Sequence, residues 1–152
     1  MKINAPRVAA EGDAEALIPL FCSGADGLFL DAHVCTPKNR ESLIQGMRAK
    51  CAAGLVWIVD NGSTKAGMLI LDRFNPFRPD ILVVVIAEAL RGKGIGPKLV
   101  HHIQAMPTVD RLRAEVRNDY SKRMLKKCGF RPNRYKSAAN FPYLFWKKSV
   151  EG

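Results

Sequence analysis

No apolar stretch of the 152-residue sequence approaches the roughly 20 residues that a membrane-spanning helix requires. The opening "MKINAPRVAAEGDAEALIPLF" places Glu11, Asp13, Glu15 and Pro19 where a signal peptide would need an unbroken apolar core. Both absences point to a cytoplasmic protein with no membrane partner. Cysteine is sparse: Cys22, Cys35, Cys51 and Cys128 form no C-x-x-C pair and have no histidine pattern suited to zinc. The expectation is four reduced thiols and no metal site, with His101 and His102 pointing different ways from a helix. Internal repeats, low-complexity tracts and linkers are lacking too, so residues 1–152 read as a single domain with enough chain to bury a core.

Acidic residues are scarce in one region only. Residues 111–148 hold twelve lysines and arginines against Glu115 and Asp119, whereas residues 1–37 hold two basic residues against five acidic ones. The net charge of +10 is therefore concentrated in the carboxyl-terminal third. That asymmetry points to an anionic ligand or partner, because long-range attraction acts on the local field.

The elements that are present make a mixed α/β pattern. "INAPRVAA" reads as a first strand and "GDAEALIPLF" as a first helix. "TPKNRESLIQGMRAKCAAG" reads as a second helix, with Thr36 as N-cap, Pro37 at its first position and Gly54 at its stop. Its core face is expected to carry Leu43, Met47 and Cys51. "LVWIV" and "MLILD" are two strands joined through Asn61-Gly62. Ile81 to Ala87 is apolar throughout, as a central strand covered on both faces would be. Ile95, Leu99 and Ile103 mark a helix that ends before Pro107. "RLRAEVR" alternates as a half-buried strand. Asn118 can cap a following helix that Gly129 ends, and "PYLFWKKSV" is a last strand, with room for another before it.

The connection after the central strand, "ALRGKGIGPKL", holds three glycines within five residues at a helix start. Glycine leaves backbone N–H groups unobstructed, and N–H groups at a helix N-terminus hold anions, usually phosphate. It is neither a Walker A loop, since no Ser or Thr follows Lys93 or Lys98, nor a dinucleotide fingerprint, since Pro97 takes the place of the third glycine counted from Gly92.

Arg91, Gly94 and Gly96 match [Q/R]-x-x-G-x-[G/A], which follows a strand and opens a helix in the GCN5-related N-acetyltransferases. A second block of that family, an Asn after a strand and a helix ending in Gly-Phe, is matched by Asn118, Ser121, Gly129 and Phe130. The chain thus resembles this family over roughly residues 55–146, and over the first fifty by helix placement alone. The resemblance implies a mixed, mostly antiparallel sheet with helices on both faces and a splayed central strand. It implies acetyl-CoA as cosubstrate, its pyrophosphate on the backbone of Arg91, Gly92, Lys93, Gly94, Ile95 and Gly96. Its pantetheine would pair with the backbone of Val84, Val85 and Ile86 and be reached by Asn118, with Ser121 beside it.

The implied activity is transfer of an acetyl group to a primary amine of a small molecule, a protein or an aminoacyl acceptor. An amine with a pKa of about 10.4 must lose a proton before it attacks. Glu88 and Asp80 flank the central strand, and Glu88 is the candidate base. The family's usual acid is a tyrosine in a pattern like "LYEKLGF". This chain reads "MLKKCGF", with Leu125 in its place. Tyr120, Tyr135 and Tyr143 are the substitutes, and Tyr120 is the candidate acid. Two alternatives stand beside the enzyme: an acyl-CoA-binding module without catalysis, and a nucleic-acid-binding domain built on "RNDYSKRMLKKCGFRPNRYK". The acceptor site is expected from the first two helices and the last strands. Trp57, Phe29, Phe74 and Phe77 are assigned to the core unless they line that site. The oligomeric state is open between monomer and homodimer.

Overall fold

The computed structural model describes residues 2–23 and 35–149. Within them the chain forms β1 (Arg7–Val8), α1 (Ala14–Ser23), α2 (Arg40–Ala52), β2 (Val56–Asn61), β3 (Thr64–Asp72) and β4 (Asp80–Ile86). It continues with α3 (Ile95–Gln104), β5 (Arg111–Glu115), α4 (Asp119–Lys127), β6 (Arg131–Lys136) and β7 (Pro142–Lys147). The seven described strands make one open sheet in the order β1-β2-β3-β4-β5-β7-β6. Every neighbouring pair is antiparallel except β4 with β5, the two strands that α3 connects.

Alternation sorts the apolar residues into two cores. Val56, Ile58, Met68 and Ile70 face α1 and α2, packing with Leu17, Ile44 and Met47. Trp57, Val59, Leu69 and Leu71 face the other way, against Leu99, Ile103, Met124 and Phe130. β4 is buried at Ile81, Val83, Val85 and Ile86, but Leu82 is 40% exposed and Val84 half-buried, so its apolar run is not covered on both faces throughout as the sequence led one to expect. On α2 the buried stripe is Ile44, Met47 and Cys51, with Leu43 half-buried at its margin. The helix is entered through a 3-10 turn, Pro37–Asn39, and Thr36 caps it without a side-chain bond.

The structure corrects two assignments. Cys22 at the end of α1 and Cys35 just before the α2 entry turn form a disulfide, with Cα atoms 5.6 Å apart. They stand 13 positions apart in sequence, and the packing of α1 on α2 brings them together. The other two cysteines are free and buried, and burial pushes the Cys128 thiol up to about 11. Phe74 and Phe77 are 93% and 86% exposed, not core. They ride on a turn closed by the Asp72 and Asn75 carboxylate and amide oxygens, which accept the N–H groups of Phe74 and Phe77 and project both rings outward. Trp57 is core, and Phe29 lies outside the described residues.

Candidate active site

β4 and β5 pair only at Asp80 with Arg113 and Ile81 with Ala114, and then part. A bulge explains where. Ile70 pairs with Val83 and Leu71 with Ile81, which leaves Leu82 as an extra residue in β4. An extra residue bends its strand and inverts the sidedness of the residues beyond it. Ile81 packs with the α3–α4 core while Val83 and Val85 pack with the α1–α2 core, although plain alternation would put all three on one face. Beyond the bulge the Ala87 N–H bonds to the Ala66 carbonyl, so alternation turns the backbone groups of Val84 and Ile86 away from β3 and into the wedge. The closed end of the wedge is pinned by Arg113, which donates two hydrogen bonds to the Asp80 carboxylate at 2.7 and 2.8 Å. Those bonds hold the guanidinium more firmly protonated than usual, against the opposing effect of burial.

The open end of the wedge carries the glycine turn. Gly92 and Gly94 have φ of 79° and 81°, in the left-handed region. Gly94 is the residue before α3, and the Lys98 N–H already bonds to its carbonyl. No described group accepts from the N–H groups of Gly92, Lys93, Gly94, Ile95 or Gly96, leaving a row of donors at a helix N-terminus. The Arg91 side chain turns back instead: its Nε donates to the Ile86 carbonyl at 3.3 Å, tying the turn to the end of β4.

Across the wedge stands α4. Asn118 caps it, its Oδ1 accepting the Ser121 N–H at 2.8 Å. The other half of that amide, Nδ2, is buried without a hydrogen-bond partner. A buried donor left unpaired is costly, and a ligand carbonyl in the wedge would satisfy it. Ser121, Met124 and Leu125 line a narrow cleft with Ile81 to Val84, Ala114 and Glu115.

On the opposite face of the sheet lies a cavity of about 400 Å³, lined by Phe21 of α1, Lys50 of α2, Ile70, Asp80 to Val83, Glu115, Arg117 and Tyr143. The two recesses share Ile81, Leu82, Val83 and Glu115, so they meet through the wedge. Glu115 is the carboxylate common to both, and it accepts a hydrogen bond from Arg117. Tyr143 lies in the larger cavity beneath the Arg113 guanidinium, which sits 4.0 Å from its ring centre. Lys50 lines the same cavity with no partner for its ammonium among the described residues.

The residues singled out from sequence divide accordingly. Val84 and Ile86, the turn from Arg91 to Gly96, Asn118 and Ser121 gather around the wedge, whereas Val85 does not: its backbone faces Met68 of β3 and its side chain packs in the α1–α2 core. Glu88 lies in the turn that follows β4 and Tyr120 is 45% exposed on α4; neither lines either recess. Glu115 and Lys50 were missed. The alternation of β5 marked Glu115 only as a solvent-side residue, and nothing in "RLRAEVR" shows that its neighbour strand departs.

Among the described residues no group of His, Cys, Asp and Glu could hold a metal ion, and no helix is long and apolar enough to cross a membrane. The acetyltransferase (GNAT) family model matches residues 27–130. Among curated proteins no match was found. Of solved structures, the PaiA N-acetyltransferase of Thermoplasma acidophilum, in complex with coenzyme A, superposes with a TM-score of 0.77 at 17% identity, covering 97% of this chain and 100% of that one. YncA of Salmonella typhimurium, with its cofactor acetyl-CoA, gives 0.74 at 14%, covering 100% and 97%. An N-acetyltransferase of Staphylococcus aureus gives 0.72 at 15%, covering 97% and 99%. At these identities the likeness is one of fold.

Proposed function

The chain belongs to the acetyltransferase (GNAT) family, and from that premise we propose that it transfers an acetyl group from acetyl-CoA to a primary amine. The observation that carries this reading is the wedge between β4 and β5, open beyond Ile81 and ending in a row of unpaired N–H groups. Those donors, from Gly92 to Gly96 at the start of α3, suit a pyrophosphate. The wedge-facing backbone of Val84 and Ile86 suits the amides of a pantetheine arm, and Asn118 Nδ2 offers one donor more. The cosubstrate supplies an activated thioester. The protein must then position an amine, take its proton and balance charge on the thioester oxygen.

Glu115 is the proposed proton acceptor, because it alone among the carboxylates lines both recesses. A wedge-facing N–H of β4 is the donor for the thioester oxygen. Leu125 offers no proton for the departing sulfur, and a thiol of ordinary pKa, about 8.5, leaves as the anion beside so basic a surface. The acceptor cavity is mainly apolar and holds Lys50, whose ammonium has no partner among the described residues. Its acceptor is therefore an amine with an apolar body and an anionic group, not a polyamine.

Titration calorimetry with acetyl-CoA, with NADH and ATP as controls, tests the premise. Saturable binding selective for acetyl-CoA is expected; a folded sample that binds none sinks the reading. Leu125 favours one runner-up, an acyl-CoA binder without turnover. Thiol release from acetyl-CoA in the presence of carboxylate-bearing amines separates the two.

A further inference from the structure

A second cavity, of about 510 Å³, is lined by Arg78, Arg111, Arg131 and Lys147 together with Leu112, Gly129, Asn133, Phe145 and Trp146. Four cations and no carboxylate line it, which is unlike the paired charges of the first cavity. Arg111 and Lys147 stand directly opposite each other on β5 and β7. Like charges in that register destabilise a sheet unless something neutralises them. Arg131 and Phe145 are partners on β6 and β7, and Phe145 shares a face with Lys147 two residues on, so these side chains converge on one side.

The charges are also unspent. The side chains of Arg78, Arg111 and Lys147 have no partner among the described residues, and Arg131 donates only to the carbonyls of Phe130 and Lys126. Arg78 Nε is buried without any hydrogen bond. A buried guanidinium nitrogen with no acceptor, beside three more cations, is a group waiting for an anion. Nearby Arg113 is different, being committed to Asp80.

The site is separate from the wedge. Arg78 precedes β4, Arg111 opens β5 and Lys147 closes β7, whereas the glycine turn follows the far end of β4, roughly 20 Å along a seven-residue strand. The cavity's size suits a small molecule and not a strand of nucleic acid. Guanidinium forks match phosphate oxygens bidentately, and a phosphate monoester carries about two negative charges. The ring of Phe145, on the face that carries Arg111 and Lys147, adds flat apolar surface.

We propose that this cavity binds a phosphate monoester whose alcohol part carries a planar ring, in chemical class a nucleoside monophosphate, at a site independent of acetyl transfer. The anionic ligand implied by the basic carboxyl-terminal third then has a defined seat. Guanosine monophosphate, inorganic phosphate and guanosine are titrated into the protein, with and without excess coenzyme A. Heat and tryptophan emission are followed, since Trp146 lines the cavity while Trp57 is buried.

Guanosine monophosphate should saturate whether or not coenzyme A is present, inorganic phosphate more weakly, and guanosine not at all. Arg111→Ser combined with Lys147→Ser should raise its Kd at least about tenfold with acetyl-CoA binding unchanged. Arg78→Met should do the same and covers the case in which the double variant fails to fold. No saturable response from folded wild type overturns the proposal. So does a response that coenzyme A abolishes and the variants retain, which would put the anion on the glycine turn. Tight, steeply salt-dependent oligonucleotide binding that guanosine monophosphate does not compete away also overturns it, in favour of a nucleic-acid partner.

Discussion

At the scale of single residues, the proton acceptor is set by which carboxylate reaches both recesses, and among the described residues only Glu115 does so. Glu88 follows the central strand in sequence, a position that makes it a candidate base. Yet the strand's last carbonyls turn into a short helical turn that carries Glu88 clear of both recesses. Glu115 sits on the neighbouring strand at the point where the recesses meet. Glu115→Gln is therefore expected to lower kcat about 100-fold or more with acetyl-CoA affinity little changed, as loss of a general base does. Glu88→Gln should change kcat by less than about twofold. Steady-state kinetics at saturating acetyl-CoA would decide, and the reverse ranking would return Glu88 to the role.

At the scale of elements, the start of α3 shows that neighbouring glycines in one motif have different jobs. Gly94 has φ of 81°, a conformation that costs other residues about 1–2 kcal/mol, and open space where a Cβ would go. Gly96 is helical, and a Cβ there would meet Met124 at 3.7 Å, an ordinary contact. Gly94→Ala should strain the turn and weaken acetyl-CoA binding about tenfold. Gly96→Ala should bind within about twofold of wild type and melt higher, gaining roughly 0.5–1 kcal/mol from helix propensity. Calorimetry and thermal melts on both variants check this; equal losses would mean the motif acts as one rigid unit. Gly67 adds a packing reason for glycine, since a Cβ on β3 would lie 2.8 Å from Ile86 Cδ1 and 3.0 Å from Ile95 Cγ2. No motif marks it.

For the molecule as a whole, charge both divides and ties. The basic third lies at one edge, on the outer face of α4 and the fully exposed β6. At the other edge Arg7, Asp13, Asp60 and Lys65 form a network joining β1, the approach to α1, β2 and β3. The Arg7 hydrogen bonds hold Asp13 well below the usual carboxylate range. Burial alone would raise Asp60, but bonds from Arg7 and Lys65 carry it below as well. Carboxylates with depressed folded pKa values stabilise fully above their unfolded value and lose that contribution as pH falls through the folded one. Asp13→Asn should accordingly melt below wild type near neutral pH, and the gap should close as pH drops below about 4. Melting curves across that range test it; a gap independent of pH would assign the effect to packing.

The amino-acid sequence by itself determined the strand and helix order, the central placing of β4, the glycine turn and the Asn118 cap. Each rests on local chemistry: apolar period, backbone freedom at glycine, and a side chain that bonds three residues on. The extra strand β6 was legible only as space before β7, because its six residues are all exposed and carry no alternation. Tertiary structure alone decided the rest. The bulge at Leu82 is invisible in a run of uniformly apolar residues, yet it opens the wedge. The Cys22–Cys35 bond depends on how α1 packs on α2, and the placing of Glu115, Lys50 and the Arg78 cavity depends on which strands become neighbours. Those are long-range pairings, set by burial of two whole cores, and no short window of sequence contains them.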